Sequence, residues 1–304
     1  MGTKKLPTLK DFQKRFPNDD ACLEHVMRVR YGKRHICQSC HREANYYRTR
    51  GRRSYTCEHC GYQVYPTKDT PFEQARTPLT DWFYVMFLFS VSRNGVAAKE
   101  VQRQIGVTYK TAWRMCSKIR QHMGAVDGDR PLGGSTKAAP IVEIDEAFLG
   151  GRDPVGKDDK AIVLGMVERN GDVLSRQVGA RHTNQILPQV KKWVKEGSHV
   201  MTDDARVYRG IDIHGYAHES VNHSEYEYVR GEAHTNTIES YWAMLKRGIN
   251  GTYIHVSKKH LQKYLWEFEY RHNLRHAPHL MFDLLLMVFA QPVLPVLSSP
   301  AKGD

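Results

Sequence analysis

Three carboxylates have the types and spacing for metal chemistry: Asp145, Asp203 and Glu239, the last two separated by 35 residues. Two divalent ions, Mg²⁺ or Mn²⁺, need hard oxygen ligands, and held about 3.5–4 Å apart they activate an attacking oxygen and stabilise a leaving one. Two strand-end aspartates and a helix glutamate supply such ligands, so the residues point to phosphoryl transfer by a metal-dependent nuclease. Spacing alone does not single them out, because the chain has 33 acidic residues in 304 and an Asp ending a strand is most often a turn residue. The elements that carry them must decide.

Ile141, Val142 and Ile144 mix with acidic residues before Gly150 and Gly151 break the chain, the pattern of a strand delivering Asp145 near its carboxyl end. Apolar runs at 161–167 and 173–178, joined by the turn signal Asn170-Gly171, extend it into a three-stranded meander. Ile186, Leu187, Val190, Trp193 and Val194 recur at helical spacing, with Thr183 or Asn184 as the cap and Gly197 as the stop. Residues 199–202 read as a short strand emptying into Asp203 and Asp204. Either can be the ligand; Asp203 is favoured because it comes first and leaves Asp204 to cap the following turn.

Ile238, Trp242 and Leu245 form the apolar stripe of a helix whose first turn holds Glu239 beside a cap at Thr235 or Asn236. Lys246, seven residues after Glu239, shares its face two turns later and offers a cation to a nearby phosphate. The resulting order, βββαβα, is that of an RNase H-like α/β domain.

Cys37, Cys40, Cys57 and Cys60 form two C-x-x-C knuckles 16 residues apart, the ligand set of a tetrahedral zinc ribbon with one structural Zn²⁺. Two disulfides or a redox pair would use the same residues. The chain shows no signal peptide and no transmembrane span, so an intracellular location is expected, where disulfides are rare. Between the knuckles, Tyr46, Tyr47, Arg48, Arg50, Arg52, Arg53 and Tyr55 alternate aromatic with basic character, and the four arginines are candidate DNA contacts. Cys22 and Cys116 read as buried apolar residues.

The apolar block within 78–91 is too short to span a bilayer and reads as a core helix. Residues 96–104, 105–107 and 108–121 then have the lengths of helix, tight turn and helix, with Thr108 as N-cap. As a helix-turn-helix, the second helix offers Tyr109, Lys110, Arg114 and Lys118 to DNA. Plain packing pairs have the same pattern.

Length and charge fit a multidomain α+β chain. The expected divisions are an N-terminal helical segment at 1–35, the ribbon at 36–70, the helix-turn-helix region at 75–123, a Gly/Pro-rich linker at 124–139, the catalytic domain at 140–275, and a C-terminal helix and tail at 276–304. A net charge of +12, an isoelectric point near 9.4 and basic residues spread over several modules, Lys246 and Arg247 among them, point to a polyanionic partner rather than a membrane.

Beyond spacing, five blocks carry a family likeness: Val142-Glu-Ile-Asp-Glu-Ala-Phe-Leu-Gly-Gly, Val221-Asn-His-Ser, His234-Thr-Asn-Thr-Ile-Glu-Ser-Tyr-Trp, Leu245-Lys-Arg-Gly-Ile-Asn-Gly-Thr-Tyr and Tyr270-Arg-His-Asn. Over residues 9–273 the chain resembles the DDE insertion-sequence transposases with an N-terminal zinc ribbon, related to the Merlin transposons. The resemblance implies catalytic positions at Asp145, Asp203 and Glu239, with two Mg²⁺ or Mn²⁺. It also brings His223, Asn236 and Lys246 near the active site, although His223 also suits an ordinary strand position and Asn236 a helix cap.

The implied partners are double-stranded DNA, as transposon ends and target, and a second copy of the chain in a dimer or higher oligomer. The implied location is the cytoplasm and nucleoid of a prokaryote. The implied activity is binding of terminal inverted repeats, metal-dependent nicking and strand transfer. A nuclease or resolvase that cuts without joining, and a zinc-ribbon regulator with no enzymatic activity, are the alternatives.

Overall fold

The computed structural model describes residues 5–127, 130–136, 138–150, 160–203, 205–221 and 235–292. They fall into two compact units, one of residues 1–92, 98–122 and 277–304, the other of residues 93–97 and 123–276.

The first unit begins with α1 (Leu9–Arg15) and α2 (Asp19–Tyr31). A reciprocal capping box starts α1: Thr8 Oγ1 accepts the Asp11 N–H at 3.2 Å and the Asp11 carboxylate accepts the Thr8 N–H at 2.9 Å. Five short strands follow, with β1 (His35–Ile36) antiparallel to β2 (Glu43–Ala44), and β3 (Tyr46–Arg48), β4 (Tyr55–Cys57) and β5 (Gln63–Val64) forming an antiparallel sheet. Helix α3 (Leu79–Val91) is apolar on nearly all sides because it is buried, with Trp82, Phe83, Val85, Met86 and Phe89 inaccessible to solvent. Phe12 and Phe16 of the N-terminal segment meet Phe87 and Phe83 of α3, and both meet Phe282 of a last helix, Met281–Phe289.

Helices α4 (Ala98–Ile105) and α5 (Tyr109–Asp127) are joined by a turn in which Gly106 takes φ +69° and Thr108 Oγ1 accepts the Thr111 N–H at 3.2 Å. Ala112, Met115, Cys116 and Ile119 bury one stripe of α5. The helix runs on through Gly124 to Asp127, into the stretch whose Gly/Pro content suggested a linker.

The second unit is a five-stranded sheet of order β10-β9-β6-β7-β8. β6 (Val142–Leu149), β7 (Ala161–Glu168) and β8 (Val173–Val178) are an antiparallel meander, with Asn170 at φ +60° in the β7–β8 turn. After α6 (Thr183–Trp193), β9 (His199–Asp203) runs parallel to β6, and β10 (Ala217–Val221) parallel to β9. Then come α7 (Asn236–Gly248), a π-helical turn at Ile249–Tyr253, and α8 (Lys258–Asn273).

Strand alternation gives the sheet two cores. Val142, Ile144, Leu164 and Met166 pack with Ile186 and Val190 of α6, whereas Ala147, Leu149, Val163 and Val167 pack with Ile238, Trp242, Leu265 and Phe268 of α7 and α8. β10 was not expected, since Ala217-His-Glu-Ser-Val carries little apolar alternation.

Candidate active site

Asp145 and Asp203 stand on neighbouring parallel strands. The observed register pairs Val142 with Val200 and Glu143 with Met201, and continued by two residues it sets Asp145 level with Asp203. Asp145 is half-buried. Burial raises its carboxyl pKa to about 6 against the opposing hydrogen bond from Trp242, and the charges of Glu146 and Asp203 push the same way as burial.

The Trp242 Nε1–H donates to Asp145 Oδ2 at 2.9 Å, tying α7 to β6. That approach needs a glycine. Gly165 faces Asp145 across the β6–β7 ladder, and a Cβ there would lie 2.5 Å from Trp242 Cζ2 and 2.8 Å from Ile238 Cδ1.

Asp203 is held from two directions, its Oδ1 accepting the Ala205 N–H at 3.2 Å and its Oδ2 accepting Arg181 Nη2–H at 3.1 Å. The same guanidinium donates through Nε to Glu146 Oε2 at 2.7 Å, and Tyr208 Oη–H donates to the other oxygen of Glu146 at 2.6 Å. Glu146 faces the α6 side with a fully buried side chain, so it is built into the core as the anchor of Arg181. Burial, and then the Glu146 charge, lift the Tyr208 hydroxyl well above its ordinary range, which keeps it a donor.

Glu239 is exposed in the first turn of α7, and Thr235 Oγ1–H donates to it at 3.2 Å. Thr235 is the N-cap of α7, as expected, but makes no side-chain cap bond; the fully buried Glu143 reaches across from β6 to the helix start. Its Oε2 accepts the N–H groups of Thr237 at 2.8 Å and Ile238 at 3.0 Å, and its Oε1 accepts Thr237 Oγ1–H at 3.0 Å and Arg169 Nε–H at 2.8 Å. Glu143 and Asp145, two residues apart, therefore both engage α7.

Asn236 lies exposed at the start of α7, and Lys246 and Arg247 lie exposed in its last turn. Asp204 and His223 lie outside the described residues. The sequence reading missed Glu143, Arg181, Gly165 and the polar role of Trp242, which it took only as apolar stripe.

Among the described residues, the four cysteines are the one group of three or more His, Cys, Asp and Glu side chains gathered for a single ion. Asp145, Asp203 and Glu239 are not drawn around one point. As donors the three carboxylates suit Mg²⁺ or Mn²⁺, and two of them, Asp145 and Asp203, stand on neighbouring strands.

Cys37, Cys40, Cys57 and Cys60 place their sulfurs within 4.8 Å of one another, with Cys37–Cys60 at 3.6 Å and Cys40–Cys57 at 4.0 Å. A Zn–S bond of 2.3 Å implies a tetrahedral S···S edge of about 3.8 Å, so the cluster fits zinc. The two knuckles close alike: the His41 N–H bonds back to Cys37 O at 2.9 Å and the Gly61 N–H to Cys57 O at 3.1 Å, each from a positive φ. Cys22 and Cys116 are buried elsewhere.

The basic candidates divide. Arg48 pairs with Asp20 of α2 at 2.8 Å, and Arg53 pairs with Asp19 at 3.3 Å and donates to Ala75 O at 3.2 Å, whereas Arg50 and Arg52 are exposed. On α5, Tyr109, Lys110 and Arg114 are exposed, and Lys118 is half-buried, its amine pKa lowered by burial and then by Arg114. No helix of the described residues is long and apolar enough to cross a membrane.

An ISXO2-like transposase domain is matched over residues 136–273 and a transposase zinc-ribbon domain over residues 17–63. A protein of the transposable element ISH50 from Halobacterium salinarum is 26% identical over 292 residues, covering 87% of this chain and 94% of the relative. A transposase-like protein of Haemophilus influenzae is 33% identical over 91 residues, covering 29% of this chain and 70% of the relative.

Proposed function

Because the chain belongs to the ISXO2-like transposase family and carries a transposase zinc ribbon, we propose that it is a DDE transposase acting on the terminal inverted repeats of its own insertion sequence. Asp145, Asp203 and Glu239 hold two Mg²⁺ or Mn²⁺ ions, with Asn236, Lys246 and His223 in support. When bound, the ions supply an activated oxygen nucleophile and charge neutralisation at the leaving oxygen, for nicking by water and strand transfer by the freed 3′-hydroxyl.

The chain's own residues supply position. Trp242 orients Asp145, Glu143 fixes the first turn of α7 and with it Glu239, and Lys246 and Arg247 present cations to phosphate. One ribbon Zn²⁺ stabilises the N-terminal DNA-binding module. The α4–α5 pair acts as a helix-turn-helix with Tyr109, Lys110, Arg114 and Lys118 toward DNA. Two transposon ends call for at least a dimer in the DNA complex.

The observation that carries this reading is the parallel β6–β9 register, Val142 with Val200 and Glu143 with Met201, which extended by two residues sets Asp145 level with Asp203. The sheet order, a meander followed by two parallel strands on the β6 side, supports an RNase H-like domain. The resemblance of the five residue blocks to those of Merlin-type elements supports that wider kinship.

The test uses Asp145→Ala, Asp203→Ala and Glu239→Ala on a duplex carrying the element's end and on a precleaved end. Loss of Mn²⁺-dependent nicking and joining, with end binding retained, is the expected result. Cleavage by all three variants would overturn the transposase reading. Nicking without joining by the unaltered protein would replace it with a nuclease or resolvase. Activity of Asp203→Ala with loss in Asp204→Ala would reassign the second ligand.

A further inference from the structure

We propose that Arg181 is a resident counter-ion of the carboxylate pair, occupying an oxygen of Asp203 that a divalent ion also needs and so setting the concentration at which the site loads. The proposal rests on the two-metal reading of Asp145 and Asp203.

Arg181 is not a drifting surface arginine. Its Nε–H is fixed to Glu146 at 2.7 Å, Glu146 is wholly buried, and its second oxygen is taken by Tyr208 at 2.6 Å. This chain of bonds delivers Nη2 to Asp203 Oδ2 at 3.1 Å while the Arg181 side chain stays 38% exposed and that of Asp203 30% exposed, so the contact is not sealed from solvent. Asp145 and Glu146 are neighbours on one strand and do opposite jobs. Asp145 faces α7 and Trp242, and Glu146 faces the α6 side and holds the cation.

Without Arg181, the charge of Asp203 would stand unneutralised beside that of Asp145, an arrangement that raises the affinity for any divalent cation. With it, a cation must displace Nη2 from Oδ2 or share the carboxylate with a positive neighbour. Because Glu146 retains the guanidinium through Nε, displacement from Asp203 leaves Arg181 close by, ready to return when the ion departs. Competition of this kind is reciprocal: what Arg181 costs the ion, the ion costs the Arg181–Asp203 bond.

The test is Mn²⁺ binding by the full-length, zinc-loaded protein without DNA, read as the loss of the free-ion electron paramagnetic signal. Arg181→Gln should bind Mn²⁺ at least about fivefold more tightly, and Arg181→Lys, which keeps the charge but not the fork, should fall between Gln and the unaltered protein. In an Asp203→Asn background the Arg181→Gln change should have no effect. Binding by Arg181→Gln that is equal to or weaker than that of the unaltered protein overturns the proposal.

Since Arg181→Gln strands a buried carboxylate, the same comparison is made between Glu146→Gln/Arg181→Gln and Glu146→Gln alone, with circular dichroism reporting the fold and the same tightening expected. If Asp145→Asn and Asp203→Asn also leave Mn²⁺ binding unchanged, the two-metal reading has failed. If they weaken it while the arginine variants do not tighten it, only the competition has failed.

Discussion

Glu143 accepts the backbone N–H of Ile238 at 3.0 Å, so the first turn of α7 rests on a carboxylate carried by β6 rather than on a side-chain bond from its N-cap, Thr235. The bond is buried, and the same side chain also accepts from the Thr237 N–H, the Thr237 hydroxyl and Arg169. A negative charge at a helix start meets both the unpaired N–H groups and the positive end of the helix dipole. The strand that bears Asp145 thus also sets where the helix bearing Glu239 begins.

Glu143→Ala is therefore expected to destabilise the second unit by about 3–5 kcal/mol, since it removes a buried partner of the Arg169 guanidinium and of the Thr237 and Ile238 N–H groups. Glu143→Gln keeps one acceptor and should cost less. Urea unfolding followed by tryptophan fluorescence measures both. An alanine variant as stable as the unaltered protein would show that the helix start is held by other groups.

Gly165→Ala tests the closeness of α7 to the sheet. The added methyl would sit 2.5 Å from the Trp242 ring, a contact that neither a packed indole nor the sheet can relieve without movement. A loss of about 1–3 kcal/mol is expected, with nicking falling further than stability because the Trp242 bond to Asp145 breaks. Gly165→Ala with full nicking activity would mean that this bond is dispensable.

Much of this arrangement was legible in the sequence, because apolar periodicity is driven by burial and burial is what builds β6 to β9, α6 and α7. The cysteine knuckles were legible for a local reason: their ligands are two residues apart within each turn. What stayed hidden depends on contacts across the sheet. Glu143 and Glu146 look like solvent-facing charges on β6, yet the structure buries both, one for α7 and one for Arg181. Gly165 sits inside an apolar run where nothing marks its neighbour. Arg181 lies between elements, and its meaning comes from a strand 35 residues earlier.

One zinc per chain is expected by elemental analysis, and Cys57→Ser should release it and lower DNA affinity, because a ribbon with so small a core folds on its metal. Cys22→Ser and Cys116→Ser should leave the zinc content unchanged, both residues lying buried away from the cluster. Zinc retained in full after Cys57→Ser would exclude the four-thiolate site.

Acid should weaken the first unit through His25. Its ring stands edge-on to Phe16 and Phe83, with centroids 5.4 and 6.0 Å away, and burial, then the Arg15 charge, take the imidazole pKa from 6.5 to about 4. Between those values the unfolded chain binds a proton that the folded one refuses. Stability is therefore complete above pH 6.5 and is lost as the pH falls toward 4. Urea midpoints measured across that window should fall with pH, and His25→Leu should flatten the slope. An unchanged slope would assign the acid sensitivity to other groups.

The basic residues of the ribbon should separate into two classes. Arg48 and Arg53 are committed to Asp20 and Asp19 of α2, whereas Arg50 and Arg52 are exposed. Alanine at Arg50 or Arg52 should weaken binding to the element's end and to random duplex alike and shallow the salt dependence by roughly one charge each, the signature of phosphate contact. Alanine at Arg48 or Arg53 should instead lower thermal stability before it alters the salt slope. Lys110→Ala and Arg114→Ala on α5 differ again: if that helix reads base edges, each should cost about 1–3 kcal/mol on the element's end and less on random duplex. Equal losses on both duplexes would leave the helix as a phosphate-contacting element and move sequence recognition elsewhere in the chain.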